Sequence, residues 1–471
     1  MINTSRQVVQ VNPTNTSSSG LFGDRTGLTQ IVFEVPSDPK IMNGKSLRVS
    51  GKFSVFNGDG TSPANAENWC GNSANPALAP VGDIYIDGRT GVSSAFETIS
   101  IQSLGTGGTY STIKSYNRLC ASLMPLNESI NSYLNGGVDS IYGALAKDVS
   151  QAKKCDRPFE FAVPILDGLI QGVPIDLSLV QGLRIVITLA PSNYVIHNNT
   201  FRNIGPASTA GTTGGGAYYE MSDLTLSFEC ETGDEQFQQS LMANKNGVLT
   251  YNTFTSFYNV INGTDHNLSL NINTGRTLAI ISNLIPSSFV NNYSYDSQRT
   301  FQPLQEKGGQ LERNIQVEDM VFTKGGLRIP LDFEVQSEDS QAQGTADSLK
   351  NKIELNAIRR EWRLANAVKS LKTELSNDVG AGNTTVGGAG QARYSRVRYS
   401  INEEDQIQQY NIGVNLDHIS ENGLNFKGTP FGMRMRLKAP DGANVSPHSL
   451  YLFIKHKNSI MIQNGAITVM N

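Results

Sequence analysis

The sequence predicts an all-β chain built as two tandem β-sandwiches, with one helix inserted in the second. Three observations predict this: period-two alternation of apolar residues, dense turn residues, and length. The chain has 471 residues, which suits two domains better than one. Its 45 glycines, with abundant Asn, Ser and Thr, are what many short strands joined by turns require.

The alternation begins with Ile31, Phe33 and Val35, set against Val32 and Glu34. Leu47, Val49, Phe53 and Val55 then share one face, and Arg48, Ser50, Lys52 and Ser54 the other. Ile99 and Ile101 repeat the pattern, as do Leu183, Ile185, Ile187 and Leu189. Leu224, Leu226, Phe228 and Cys230, interleaved with Thr225, Ser227 and Glu229, close the first half. A period of two puts each apolar set on one sheet face, which a second sheet must cover.

The second half carries Leu268, Leu270 and Ile272, then Met433, Met435 and Leu437 separated by Arg434 and Arg436. It ends on Ile460 and Ile462, the pair Asn464-Gly465, and Ile467 and Val469. Asn-Gly between alternating strands predicts a type I′ hairpin, whose two central residues both need positive φ. Asn57-Gly58, Asn246-Gly247, Asn262-Gly263 and Asn422-Gly423 are further turn candidates. The boundaries that follow are an N-terminal arm over 1–20, a first sandwich over 21–232, a linker over 233–246 and a second sandwich over 247–471.

One segment, about 345–375, has helical spacing: Leu349, Ile353, Ala357, Leu364, Val368, Leu371 and Leu375, with Thr345 as N-cap and Asp347 in the first turn. The glycine-rich stretches Gly205–Gly216 and Gly380–Gly390 read as surface loops.

Catalytic chemistry finds no constellation in the sequence. The histidines His197, His266, His418, His448 and His456 form no HExxH or HxH motif; His448 and His456 are expected on either side of a strand. No GxSxG elbow is present, and the Gly214–Gly216 run is not followed by the GK[ST] helix start of a phosphate-binding loop. Asp87-Gly88 and Asp167-Gly168 read as turns without a partner carboxylate. No catalytic residue, metal ligand or cofactor is therefore expected, and the chain is expected not to be an enzyme.

The cysteines Cys70, Cys120, Cys155 and Cys230 have neither CxxC spacing nor the density of a disulfide scaffold, which fits a reducing compartment. The net charge of −4 argues against general affinity for nucleic acid, and no sequence-specific binding is expected. Two basic clusters stand apart: Arg359, Arg360 and Arg363 around Trp362, and Arg393, Arg396 and Arg398 near Tyr394 and Tyr399. A solvated helix face and a strand edge are the first reading; contact with an acidic neighbour subunit, lipid head groups or nucleic acid is the second, and the spacing does not choose among the three. The N-terminus has no signal-peptide core and no stretch reaches the roughly 18 apolar residues of a membrane span, so a soluble protein is expected.

Particular phrases resemble a known family. Phe159–Leu189 (FEFAVPILDGLIQGVPIDLSLVQGLRIVITL) is similar to the apolar run and following strand of double-jelly-roll major capsid proteins of DNA viruses, among them those of polinton-like viruses and virophages. Thr98–Leu123 resembles their strand, loop and short helix, and Tyr218–Glu231 the closing strand of their first roll. In the second half Leu268–Pro286 around Arg276, Gly325–Leu331 (GGLRIPL) and Gly428–Asn471 follow in the family's order. The chain departs from the pattern at Asp167, where a small hydroxyl residue is commoner, and at Ile329, where an aromatic is.

The resemblance implies two tandem jelly rolls, with the 345–375 helix inserted in the second. It also implies a major capsid protein that forms a homotrimeric, pseudo-hexagonal capsomer, tiles an icosahedral shell and resides in the virion after assembly in host cytoplasm or nucleus. Implied partners are the chain itself, neighbouring capsomers, and penton and minor capsid proteins, with an internal membrane left open. The N-terminal 20 residues are expected to reach inward, and the loops at 205–216 and 62–80 to project outward. The alternatives are a minor capsid or other virion β-sandwich protein, and a tandem β-sandwich binding protein of lectin or adhesin type.

Overall fold

The computed structural model describes residues 4–25, 27–56, 84–87, 90–127, 153–155, 158–172, 174–197, 217–293, 297–298, 305–307, 310–312, 316–329, 411–416, 423–438, 445 and 447–470. The helix expected over 345–375, both basic clusters, the loops at 62–80, 205–216 and 380–390, and Cys70 and His418 lie outside these residues.

The first roll consists of β1 (Thr4–Val11), β2 (Gln30–Val35), β3 (Ile41–Phe56), β4 (Phe96–Ser103), β5 (Thr109–Lys114), β6 (Phe159–Val163), β7 (Leu183–Leu189) and β8 (Tyr218–Gly233). The second consists of β9 (Gly247–Ile261), β10 (Asp265–Leu270), β11 (Thr277–Pro286), β12 (Gln316–Lys324), β13 (Leu327–Ile329), β14 (Asn411–Asn415), β15 (Phe431–Lys438) and β16 (His448–Gln463). Within the first roll the strand orders are β1-β8-β3-β6 and β2-β7-β4-β5; within the second they are β9-β16-β11-β14 and β10-β15-β12-β13. Adding eight to each number of the first roll gives the second, so the two halves share one antiparallel jelly-roll topology.

The alternation predicted for these strands is what buries them. Leu47, Val49, Phe53 and Val55 of β3 are fully buried, as are Leu226 and Cys230 of β8 and Leu183, Ile185 and Ile187 of β7. These faces meet across the sandwich in one apolar core. The Asn464-Gly465 turn has φ of 50° and 80°, the two positive values of a type I′ turn, and joins β16 to a short strand Ala466–Met470.

The structure refines one expectation and corrects another. Within the segment expected as an N-terminal arm, Thr4–Val11 is a strand of the first roll, β1, paired antiparallel with β8 from Thr4↔Gly233 to Val11↔Leu226. Its side chains are largely exposed, so backbone pairing rather than an apolar face holds it, and an apolar-pattern reading passes over it. His448 and His456 do not flank a strand; both lie within β16, and both are buried.

The segment expected as a linker, 233–246, holds helix α2 (Glu235–Ala243). Asp234 caps it by accepting from the Phe237 N–H at 3.0 Å, and the Phe237 ring is its buried anchor. No helix among the described residues is long and apolar enough to cross a membrane.

Candidate functional site: the joint between the rolls

In β11 all ten residues are buried, and in β16 nearly all sixteen are. A sheet strand buried along its whole length has both faces covered. On one face Ile280, Leu284, Leu450, Leu452 and Ile454 join Phe322, Phe431, Met433 and Met435 in the second roll's own core. On the other, Ala279, Ile281, Ile285, Tyr451 and Phe453 belong to the core of the first roll. The sheet β9-β16-β11-β14 is thus shared, and the two rolls dock through packed apolar surface.

Polar groups are set into this surface at three places. Helix α1 (Tyr116–Asn127) carries Arg118, which is fully buried. Its Nη2 donates to Asn283 Oδ1 of β11 at 3.0 Å, its Nη1 donates to the Ser297 carbonyl, and its guanidinium stands 5.0 Å from the Tyr451 ring centroid. Asn283 Nδ2 donates in turn to Ser122 Oγ at 2.7 Å, and Ser122 Oγ to the Arg118 carbonyl at 3.1 Å. Two residues of α1 and one of β11 therefore close a circuit across the joint. Tyr194 and Tyr451 meet hydroxyl to hydroxyl at 3.5 Å beside it, and burial pushes the ionisation of both upward.

The second place is the Asp167-Gly168 turn of the first roll. Asp167 Oδ1 accepts from the Leu169 N–H at 2.8 Å, and Oδ2 accepts from Ser111 Oγ at 2.6 Å. Ser111 Oγ lies 2.8 Å from Thr253 Oγ1 of β9, on the second roll. A Cβ on Gly168 would stand 1.8 Å from the Asn252 carbonyl oxygen, so only glycine permits this approach to β9. Tyr251 also donates its hydroxyl to the Tyr110 carbonyl, and Ser256 donates to that of Lys114.

At the third place the C-terminal hairpin closes over the linker. The Asn464 N–H donates to Asn246 Oδ1 at 2.9 Å, and the Gly465 N–H to the Lys245 carbonyl at 3.2 Å. Gln181 Nε2 of the first roll donates to the Gly465 carbonyl at 2.7 Å.

The residues weighed for chemistry are dispersed. His456 is held neutral in β16 between Thr255 Oγ1 and Asn458 Oδ1, each 2.9 Å away, and burial lowers its pKa to about 4. His266 Nε2 lies 3.0 Å from the Gly263 carbonyl oxygen, and Arg276 donates to Ser459 Oγ at 2.7 Å. Asp87 accepts from the Thr90 N–H and hydroxyl, a turn-stabilising role. Cys120, Cys155 and Cys230 are buried free thiols. Among the described residues no three His, Cys, Asp or Glu side chains group as metal ligands would.

Sequence reasoning passed over Arg118, Asn283, Tyr451 and Thr253. The available clue was the apolar run Leu278–Ile281, resumed at Leu284 and Ile285, which lacks the period-two alternation of a strand with one covered face.

No protein-family model matches the sequence, and no curated protein matches it. Solved structures do match along the whole chain. VP54 of PBCV-1, fitted into a cryo-EM reconstruction of the virophage Sputnik, aligns with a TM-score of 0.55 at 11% identity, covering 100% of this chain and 97% of that one. The Faustovirus major capsid protein aligns at 0.53 and 8% identity, covering 98% and 91%. A chain of the Sputnik virophage structure aligns at 0.53 and 10% identity, covering 99% and 88%. At such identities the likeness is one of architecture. The chain has the double-jelly-roll fold of these viral capsid structures, shared from end to end.

Proposed function

We propose that the chain is a major capsid protein whose working unit is a homotrimer, three pairs of rolls forming a pseudo-hexagonal capsomer of an icosahedral virion. The observation that carries this reading is the docking of two rolls of identical strand order through one shared sheet. A rigid two-roll unit supplies two adjacent corners of a six-cornered tile, and threefold closure completes it. The end-to-end likeness to viral capsid structures supports the same reading, as do the buried polar contacts that fix roll to roll. The activity is assembly, without catalysis or cofactor. Neighbouring capsomers, pentons and minor capsid proteins are its partners, and the virion is its location.

Light scattering coupled to size exclusion, at micromolar protein, tests the oligomer. A mass three times the 51.1 kDa chain is expected. A single-chain mass under these conditions would overturn the capsomer reading.

A further inference from the structure

Asp167 is a buried carboxyl, 1% exposed, placed where the two rolls touch. Its turn is pressed against the β9 backbone at Asn252, and its Oδ2 reaches Thr253 both through Ser111 and directly at 3.5 Å. The titratable groups around it are Tyr116 from α1, hydrogen-bonded to Cys120, Tyr251 from β9 beside Tyr110 of β5, and, across Thr253 on β16, the neutral His456. None of these is a cation. Burial, opposed only by hydrogen bonds from Ser111, Leu169, Ile170 and Thr253, pushes the pKa of Asp167 up to about 6.

We propose that Asp167 is a proton-operated latch of the roll-to-roll joint, which grips when the carboxyl is neutral and loosens when it is ionised. The neutral acid suits the site in both respects. Its O–H can donate to the Ser111 or Thr253 hydroxyl, each of which also accepts, and no charge is left in an apolar joint. The carboxylate keeps the Ser111, Leu169, Ile170 and Thr253 donors, but it places a negative charge with no facing cation in the buried joint against the second roll.

The sign of the pH dependence follows from a folded pKa raised above the ordinary 3.8. The stabilising contribution is complete below that ordinary value and is lost as pH rises through about 6. Between pH 4 and pH 7 this amounts to on the order of 100-fold in the opening equilibrium.

The test uses the full-length protein in its native assembly. Hydrogen–deuterium exchange of residues 168–170 and 251–254 is followed from pH 4 to 7.5, corrected for intrinsic rates, in wild type, Asp167→Asn and Ser111→Ala. Asp167→Asn keeps the shape without the charge. His456, which pairs with Thr253 across β9 and β16, titrates in both proteins, so the proposal is read from the difference: wild-type protection of these residues relative to Asp167→Asn at the same pH is expected to rise on acidification. Ser111→Ala, which removes a donor to the carboxylate, should move the wild-type midpoint to higher pH. That second variant decides the matter if Asp167→Asn fails to fold. A wild-type profile that matches Asp167→Asn at every pH, or a midpoint unmoved in Ser111→Ala, would overturn it.

Discussion

Arg118 holds the joint through contacts that no local pattern announces. Its partners Asn283 and Ser297 lie 165 and 179 residues away in the chain, so in sequence it is one arginine in a short polar-apolar helix. Truncating it would leave Asn283 Oδ1 and the Ser297 carbonyl without this donor in a buried joint and remove the cation beside Tyr451. Each stranded buried group costs about 1–3 kcal/mol. Arg118→Ala is therefore expected to destabilise the protein by roughly 3 kcal/mol or more, visible as a fall in thermal midpoint. A midpoint within a degree of wild type would show that the circuit contributes little. The place of His456 within β16, and its burial there, were not legible in the sequence. With a folded pKa lowered to about 4 from 6.5, its contribution is present above pH 6.5 and is lost as pH falls through 4. The size is roughly 3 kcal/mol, and His456→Gln should flatten that acid limb of the stability curve. Its sign is opposite to that of Asp167, so each group must be followed against its own variant.

At the scale of elements, the strands with one buried face were plainly written. Leu183–Leu189 and Leu224–Cys230 alternate in sequence and are buried in alternation. The Asn464-Gly465 turn was equally legible, because a type I′ backbone restricts its residues so strongly. Two kinds of strand were not. β1 is a polar edge strand whose hydrogen-bonding partner lies more than two hundred residues away, so nothing local distinguishes it from a tail. β11 and β16 mix apolar with polar residues and are buried on both faces, where alternation has no meaning. What the hairpin does could not be read from its turn: it clasps Lys245 and Asn246 of the linker and Gln181 of the first roll. Removing residues 464–471 should therefore raise hydrogen exchange at 244–247 and at Gln181 while the β10-β15-β12-β13 sheet stays protected. Uniform loss of protection across both rolls would instead make the hairpin part of the global core.

Across the whole molecule, the repeated strand order and the shared sheet make one two-roll body out of two sandwiches. Tandem sandwiches could be inferred from length and alternation, and their jelly-roll character from the family resemblance. The docking could not, since it depends on which faces of β9, β11 and β16 turn toward the first roll. A joint of this kind fixes the relative placement of the rolls, which a tile needs and a flexibly linked binding module does not. The most direct measurement is negative-stain microscopy of the purified full-length protein. The account predicts threefold particles with six lobes in a pseudo-hexagonal outline, two lobes for each chain. Isolated two-lobed particles at the same concentration, with no threefold class, would contradict it.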